Sequence, residues 1–279
     1  MAKKKGNKKS LKEKRSMAER ADRHQLYELS VQCSESEVDF VDDAYKQLRG
    51  RRAKLMREDF CGTANVCCEW VKRRKDNVAI GVDIDLEVLN WGQENKVNKL
   101  SPNKQKRIKL IPSNVLQVKT DAPDMILAMN FSYWLFKQRK DLLKYFKSVR
   151  SSLKNDGVFF FDAYGGYDSF KEIVEERLVE EGNFNYVWEQ ERYNPIDGNL
   201  LSHIHFTFPD GSRLDNAFSY DWRLWTLPEI QDLLHEAGFS KVTIFWQGFD
   251  EDGEPDGDFQ PAILADADAG WISYVAAER

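Results

Sequence analysis

The sequence predicts an α/β fold: a seven-stranded, mainly parallel sheet with helices on both faces and an inserted antiparallel β meander. Between residues 50 and 165, apolar runs alternate with amphipathic segments of helical period, which is typical of a parallel sheet covered on both sides. Between residues 183 and 225, polar and aromatic residues alternate around turn sequences, which indicates a meander. No linker rich in Pro, Gly and Ser splits the middle of the 279 residues, so one domain over residues 19–279 is expected.

The N-terminal fifty residues divide into a tail and a helical segment. Residues 1–20 contain nine Lys or Arg against Glu13 and Glu19, about +7, which leaves about −12 for the rest of a chain whose net charge is −5. Residues 1–18 are therefore interpreted as a disordered basic tail. Residues 19–50 have apolar positions at helical spacing and end at Gly50, so they are predicted to form a helical lid.

Charge and cysteine usage narrow the function classes. The acidic body argues against a surface devoted to nucleic acid, although the basic tail leaves a nucleic-acid partner open as the less favoured alternative. The N-terminus has no apolar signal segment, and no stretch approaches the length of a membrane span. The four cysteines are not spaced like metal ligands or disulfide partners, which favours free thiols in the cytoplasm. No membrane association is expected.

The core elements follow one another in alternation. Five strands are predicted at KLMREDF, NVAIGVDI, IKLIPSNV, PDMILAMNF and GVFFFDAY. Three helices are predicted between them, at ANVCCEWVKRRK, LEVLNWGQENKV and RKDLLKYFKSVRSSLK. After the meander, TLPEIQDLLHEAGF predicts a helix with a capping box, and KVTIFWQG and WISYVAAE predict two strands. The acidic segment 249–269 between those two strands is predicted to be a loop.

The turn after the first strand, CGTA, suggests a nucleotide site. In doubly wound sheets, ligands bind where the carboxyl ends of the strands meet a helix N-terminus. The next strand ends at Asp83, nineteen residues after Ala64. An acid in that position can accept both hydroxyls of an adenosyl ribose.

These segments carry a family resemblance. EDFCGTA, GVDID, DGVFFFDAY and WTLPEIQDLLHEAGFSKVTIFW resemble the class I S-adenosylmethionine-dependent methyltransferases, over roughly residues 50–279. The resemblance implies a Rossmann-like methyltransferase sheet and S-adenosyl-L-methionine (SAM) as cofactor. It matches Glu58 to the first acid of the family's turn and Cys61, Gly62 and Thr63 to the turn itself.

Two glycines of the family pattern are replaced, by Phe60 and Ala64. Gly62 remains at the tightest point of the turn. We expect Phe60 to be tolerated as the end of a strand and Ala64 as the first residue of a helix. Because a sulfonium ligand carries no pyrophosphate, the turn is still expected to hold an adenosyl cofactor.

The resemblance also assigns the rest of the cofactor pocket. It implies that Asp83 binds the ribose and that Ile84 lies against the adenine. Asn114 is expected at the adenine amino group, with Val115 as a neighbouring backbone donor. Met129 is expected beside the methionyl part of SAM.

Five side chains are predicted to be catalytic: Asn130, Tyr133, Asp162, Tyr164 and His203. The first four lie at or just after the ends of the fourth and fifth strands, where the methyl group is expected. His203 and His205 share one face of a strand and can supply a base, but no third ligand suggests a metal.

The expected function is methyl transfer from SAM to a nitrogen or oxygen of a small molecule, by in-line displacement in an aromatic-lined pocket and without a metal. Two alternatives stay open: an RNA methyltransferase that uses the basic tail, and a non-catalytic adenosyl-binding or scaffold protein. The sequence leaves monomer and homodimer equally open.

Overall fold

The computed structural model describes residues 15–249 and 255–279. Its helices are α1 Met17–Arg20, α2 Arg23–Ser30, α3 Ser34–Arg49, α4 Asn65–Arg73, α5 Leu86–Asn95, α6 Pro102–Gln105, α7 Arg139–Ser152 and α8 Leu227–Glu236. Its strands are β1 Leu55–Asp59, β2 Val78–Asp83, β3 Ile108–Pro112, β4 Met125–Ala128, β5 Val158–Gly165, β6 Ile173–Val179, β7 Phe184–Asn194, β8 Asn199–Thr207, β9 Arg213–Arg223, β10 Lys241–Phe249, β11 Pro255–Ala262 and β12 Trp271–Glu278. Within these residues no helix combines the length and the apolar character of a membrane span.

The strands form two sheets. The large sheet has the order β11-β10-β12-β5-β4-β1-β2-β3, in which β5, β4, β1, β2 and β3 are parallel and the remaining pairs are antiparallel. The small sheet has the order β6-β7-β8-β9 and is antiparallel throughout. The predicted α/β fold with helices, a mainly parallel sheet and an inserted meander is therefore confirmed.

Two strands were missed by the sequence analysis. Strand β11 lies inside the predicted loop 249–269 and pairs antiparallel with β10, which makes the large sheet eight-stranded within the described residues. Strand β6 precedes the predicted meander of residues 183–225 and is mostly solvent-exposed. Both are edge strands, each held by backbone hydrogen bonds to a single neighbour. Their sequences therefore need not alternate apolar and polar side chains, which is the pattern that would have predicted them.

The core lies on both faces of the large sheet. Helices α7 and α8 cover one face, with Phe146 and Phe159 fully buried, while α3 and α4 cover the other with Tyr45 and Trp70. Burial of apolar surface stabilises a folded protein by about 25 cal/mol per Å². These aromatic layers therefore contribute most to the stability of the sheet. The sheet is thereby held rigid, and so are the strand ends that carry the site.

The N-terminal helices pack against the small sheet. Leu26 of α2 joins Phe184 and Phe206 of the small sheet in a separate apolar cluster. The first turn of α1 donates backbone hydrogen bonds to the Asp210 carboxylate (2.7 Å) and to the Ser212 hydroxyl (3.0 Å). Helix α1 starts within the predicted tail 1–18, and residues 1–14 of that tail lie outside the described residues.

Candidate functional site

The turn between β1 and α4 holds two residues in a backbone conformation that favours glycine. Phe60 has φ 60° and Ala64 has φ 61°. The expectation that they occupy ordinary strand and helix positions was wrong, because each adopts the left-handed region that costs an L-residue about 1–2 kcal/mol. The Phe60 ring packs 5.6 Å from the Tyr145 ring, and this contact offsets part of the strain.

Glycines on neighbouring elements make room for the turn. A Cβ on Gly92 of α5 would lie 2.4 Å from the Thr63 carbonyl oxygen, and a Cβ on Gly81 of β2 would lie 2.8 Å from the Cys61 sulfur. A Cβ on Gly62, in contrast, would meet no atom within 4 Å. The turn is therefore closely packed from below and has open space above Gly62, where a ligand can approach the backbone.

Asp83 at the end of β2 ties the turn to the next strand. Its Oδ2 accepts a hydrogen bond from the Gly62 amide at 2.9 Å, and its Oδ1 accepts one from the Asp85 amide at 2.9 Å. An ionised carboxylate has about four acceptor positions. Asp83 can therefore fix the turn and still accept hydrogen bonds from hydroxyl groups of a ligand.

Glu58, the last residue but one of β1, is a buried carboxyl below the turn. It accepts a hydrogen bond from the Cys67 thiol at 3.1 Å. Burial raises the pKa of Glu58 to about 8, although the hydrogen bonds from Cys67 act in the opposite direction. The four cysteines are free, and burial raises the pKa of the Cys67 thiol as well, which argues against a reactive thiolate here.

The lid is attached to this turn through a side-chain contact. The Thr63 hydroxyl donates a hydrogen bond of 2.7 Å to the carboxylate of Glu28 in α2. Glu28 also forms an ion pair with Lys96. Helix α2 is thus held directly over the strand ends.

A cavity of about 500 Å³ lies above the turn and is called the cofactor cavity below. Its predicted lining residues are Glu58, Phe60, Cys61, Gly62, Thr63, Asp83, Met129 and Asn130. Its other lining residues include Arg23 and His24 of α2 and Phe218 of the edge strand β9. Burial lowers the pKa of His24 from 6.5, so its imidazole is neutral at pH 7.

The turn after β4 is the second place where non-glycine residues have positive φ. Asn130 and Phe131 both have φ 56°. Their amides donate hydrogen bonds of 2.7 and 2.8 Å to the two carboxylate oxygens of Asp162. Burial raises the pKa of Asp162 to about 7, although these hydrogen bonds lower it. Asp162 therefore holds the strained turn in place.

A second cavity, of about 470 Å³, lies between the strand ends and the small sheet and is called the acceptor cavity below. Aromatic side chains from both sheets line it, including Tyr164, Trp188 and Trp222. The Tyr164 hydroxyl is buried and has no hydrogen-bond partner. An unpaired buried hydroxyl costs about 1–3 kcal/mol, and a bound molecule in this cavity can supply the missing partner.

The two cavities meet. Tyr27 of α2, Asn130 and Tyr220 of β9 line both of them. Burial raises the pKa of Tyr220, and its interaction with Tyr27 raises it further. Molecules bound in the two cavities would therefore both border these three residues.

Comparison with solved structures identifies this architecture. The S-adenosylmethionine-dependent methyltransferase from Clostridium acetobutylicum superposes with a TM-score of 0.64 at 17% identity, over 90% of this chain and 96% of that one. DesVI from Streptomyces venezuelae gives 0.66 at 14% identity, over 92% and 98%. The chain has the class I methyltransferase fold. CalS10, a SAM-bound amino pentose methyltransferase from Micromonospora echinaspora, gives 0.65 at 12% identity, over 92% and 96%. No protein-family profile matches the sequence, and no curated protein matches it.

In this methyltransferase fold, three of the predicted cofactor residues lie outside the cofactor cavity. The Ile84 side chain is 72% exposed, whereas Val115 is packed in the core. The Asn114 side chain accepts a hydrogen bond of 2.9 Å from the Leu116 amide, and so it closes its own turn. His24 of the lid and Phe218 of β9 line the cavity instead, and no local signal in the sequence links β9 to this site.

Two predicted catalytic residues, Tyr133 and His203, line neither cavity. Tyr133 is fully buried, and its hydroxyl donates to the Asp162 carbonyl at 3.0 Å. His203 lies on β8 between Ser202 and Ile204, and Ile204 lines the acceptor cavity while His203 does not. Side chains alternate along a strand, so His203 faces away, and there it forms hydrogen bonds with Glu191 and Ser219 at 2.7 and 2.8 Å.

The remaining predicted catalytic residues lie near the place where the two cavities adjoin. Asn130 lines both cavities and Tyr164 lines the acceptor cavity. Asp162 holds the backbone of Asn130 from below, with one amide hydrogen bond to each of its oxygens, and lines neither cavity. In the part of the chain that the structure describes, no group of three or more His, Cys, Asp or Glu side chains is placed to hold a metal ion.

Proposed function

We propose that this protein transfers a methyl group from SAM to a nitrogen or oxygen atom of a small molecule held in the acceptor cavity. The observation that carries the proposal is that two cavities of similar size meet at Tyr27, Asn130 and Tyr220. Methyl transfer needs two ligands whose reacting atoms are brought into line. The class I methyltransferase fold supports the assignment of the cofactor cavity to SAM.

The residues of the cofactor cavity fit SAM. A volume of about 500 Å³ is in the range of pockets for ligands of this size. The Asp83 carboxylate suits ribose hydroxyls, the open space above Gly62 admits a ligand against the backbone, and Phe218 offers an aromatic face to a flat ring. The Asp83 carboxylate also suits a ligand with positive charge.

SAM, when bound, supplies an electrophilic methyl group on a sulfonium. The chain's own contribution is to position the two ligands and to exclude water. Asp162 fixes the Asn130–Phe131 turn below the junction through two backbone hydrogen bonds. Tyr27 and Tyr220 enclose the junction from the lid side, which removes water from the line of attack.

Calorimetric titration with SAM and S-adenosylhomocysteine (SAH) tests the cofactor assignment. We expect roughly micromolar binding of both by the unmodified protein, and at least tenfold weaker binding by Asp83→Ala. Asp43→Ala, which removes a carboxylate of α3 that is 77% exposed, is the matched control and should bind normally.

The same experiment separates a folding defect from a binding defect. Because Asp83 also accepts the Gly62 amide, each variant is melted thermally first. A cooperatively folded unmodified protein that binds neither SAM nor SAH contradicts the proposal. SAM binding without methyl transfer to any member of a broad acceptor panel favours the non-catalytic alternative.

A further inference from the structure

The acceptor cavity has an unusual balance of charge. Asp168 and Glu175 are its charged lining residues, and no Lys, Arg or His of the described chain lines it. Asp168 is paired with Lys171. Glu175 is exposed at the mouth of the cavity, opposite Trp188 in the strand register, and none of the ion pairs of the described residues involves it. The cavity therefore has an acidic rim.

A basic side chain of β6, which lies over the cavity-lining residue Tyr186, is already engaged. The Arg177 guanidinium lies over the Tyr186 ring, 5.6 Å from its centroid, and donates a hydrogen bond to the Ser30 carbonyl. Burying an anion without a compensating cation or several donors costs several kcal/mol. A phosphate or carboxylate group of an acceptor would thus be excluded from the cavity.

Aromatic rings form the inner wall of the cavity. Tyr164 lies 4.7 Å from the Phe131 ring and 4.7 Å from the Trp134 ring, and Tyr220 stacks on Trp222 at 4.3 Å. The faces of such rings attract cations with about 0.5–2 kcal/mol each. This wall begins at Phe131, next to the junction of the two cavities.

We propose that the acceptor is an amine without phosphate or carboxylate groups, and that its nitrogen receives the methyl group. This inference rests on the function proposed above. The uncharged amine attacks with its nitrogen lone pair; an N–C bond forms, the S–C bond breaks, and its electron pair stays on sulfur. The positive charge passes from sulfur to nitrogen, and the product ammonium releases one proton to solvent.

An amine suits this charge transfer better than a hydroxyl. The positive charge moves from the cofactor cavity into a cavity with aromatic faces and an acidic rim, which stabilise it. A hydroxyl acceptor would need a base at the junction. Burial raises the pKa of Tyr27 and Tyr220 there, so both hydroxyls keep their protons, and the Asp162 carboxylate lines neither cavity.

Three probes of matched shape test the acceptor class: benzylamine, benzyl alcohol and 4-(aminomethyl)benzoate, each titrated into the protein saturated with SAH. We expect benzylamine to bind about tenfold more tightly than either of the others. With SAM in place of SAH, mass spectrometry should detect N-methylbenzylamine and no methyl ether.

Variants at the rim and the wall provide a second measurement. Trp188→Leu should weaken benzylamine binding about tenfold while it changes benzyl alcohol binding much less. Glu175→Gln should weaken benzylamine binding about threefold, since rim charges act weakly. Glu176→Gln, whose carboxylate accepts hydrogen bonds from Asn185 and Thr207, is the matched control and should change neither.

The outcomes distinguish this inference from the proposed function. If SAH binds but benzyl alcohol or the carboxylate probe binds as tightly as benzylamine, the amine inference is overturned and the methyltransferase proposal stands. If SAH binds and benzylamine fails to bind at about 10 mM, beyond the range of specific recognition, the amine inference is overturned as well. Failure to bind SAH overturns both.

Discussion

The two cavities of this protein are built in different ways. The cofactor cavity is built mainly from backbone: turns with positive φ at Phe60, Gly62 and Ala64 lie against glycines of neighbouring elements. The acceptor cavity is built mainly from side chains, with aromatic rings of the small sheet facing those of the large sheet. A backbone-built site depends on short segments whose residues are adjacent in the sequence. A site built from side chains depends on how distant segments fold together.

This difference explains why the cofactor cavity is present although Phe60 and Ala64 stand where the family pattern has glycines. The left-handed conformations of Phe60 and Ala64 cost about 1–2 kcal/mol each, and the surrounding structure imposes them. Close packing of Gly92 and Gly81 below the turn leaves it little freedom to relax. Strain of this kind is typical of functional sites.

The largest effect is expected from filling the space under the turn. Gly92→Ala would place a Cβ 2.4 Å from the Thr63 carbonyl oxygen, so the turn must shift. We expect at least tenfold weaker SAM binding and a net loss of about 1–2 kcal/mol in unfolding free energy, after the gain in helix propensity. Calorimetry and urea denaturation measure the two quantities.

The control for this variant is Glu94→Ala, at an exposed position of the same helix. Benzylamine binding should respond less to Gly92→Ala than SAM binding does. An equal loss of both would show that the two cavities are not independent.

The pH dependence of stability is expected to come from the buried carboxyls near the strand ends. Burial raises the pKa of Glu37 and of Glu58 to about 8, and of Asp162 to about 7. Each group is more easily protonated in the folded chain than in the unfolded one. Its stabilising contribution is therefore complete below the unfolded pKa of about 4 and is lost as the pH rises through 7 to 8.

Urea denaturation at about pH 5 and about pH 9 measures this effect. The unmodified protein should have the lower unfolding free energy at the alkaline end, and Glu58→Gln should reduce the difference. A profile that Glu58→Gln leaves unchanged would mean that Glu58 does not titrate in this range.

A smaller effect tests the strain at the turn. Ala64→Gly removes a methyl group but restores the residue that φ 61° favours. Ala44→Gly, in the middle of α3, removes the same methyl group where helical φ favours Ala. Ala64→Gly should be less destabilising than Ala44→Gly by about 1–2 kcal/mol in unfolding free energy. Equal costs would argue against strain at residue 64.

The smallest effect is expected at His203. Because its side chain faces away from the acceptor cavity, His203→Gln should leave kcat for methyl transfer within about twofold, at a stability cost of about 1 kcal/mol for the altered hydrogen bonds. Steady-state assays between pH 6 and 8 measure this. A large loss of kcat with unchanged stability would return His203 to the list of catalytic residues.

The sequence by itself determined the parallel sheet and the turn after β1, and it predicted the part of the cofactor cavity that this turn and Asp83 line. These depend on periodicity and on local spacing, such as the interval from the CGTA turn to Asp83, which a parallel β1–β2 pair places side by side. It also predicted a lid and aromatic residues in the meander. The edge strands β6 and β11 were not predicted, because backbone pairing with one neighbour holds them in the sheet.

Only the tertiary structure decided which side chains meet. It buried Tyr133, turned His203 away from the acceptor cavity and placed Phe218 of β9 in the cofactor cavity, 135 positions after Asp83. The physical reason is that a one-residue change of register turns every side chain of a strand to the other face, and a different approach of the lid would bring other side chains to the strand ends. Local preference does not encode that choice, since it is made by the packing of α2 and the small sheet over the strand ends.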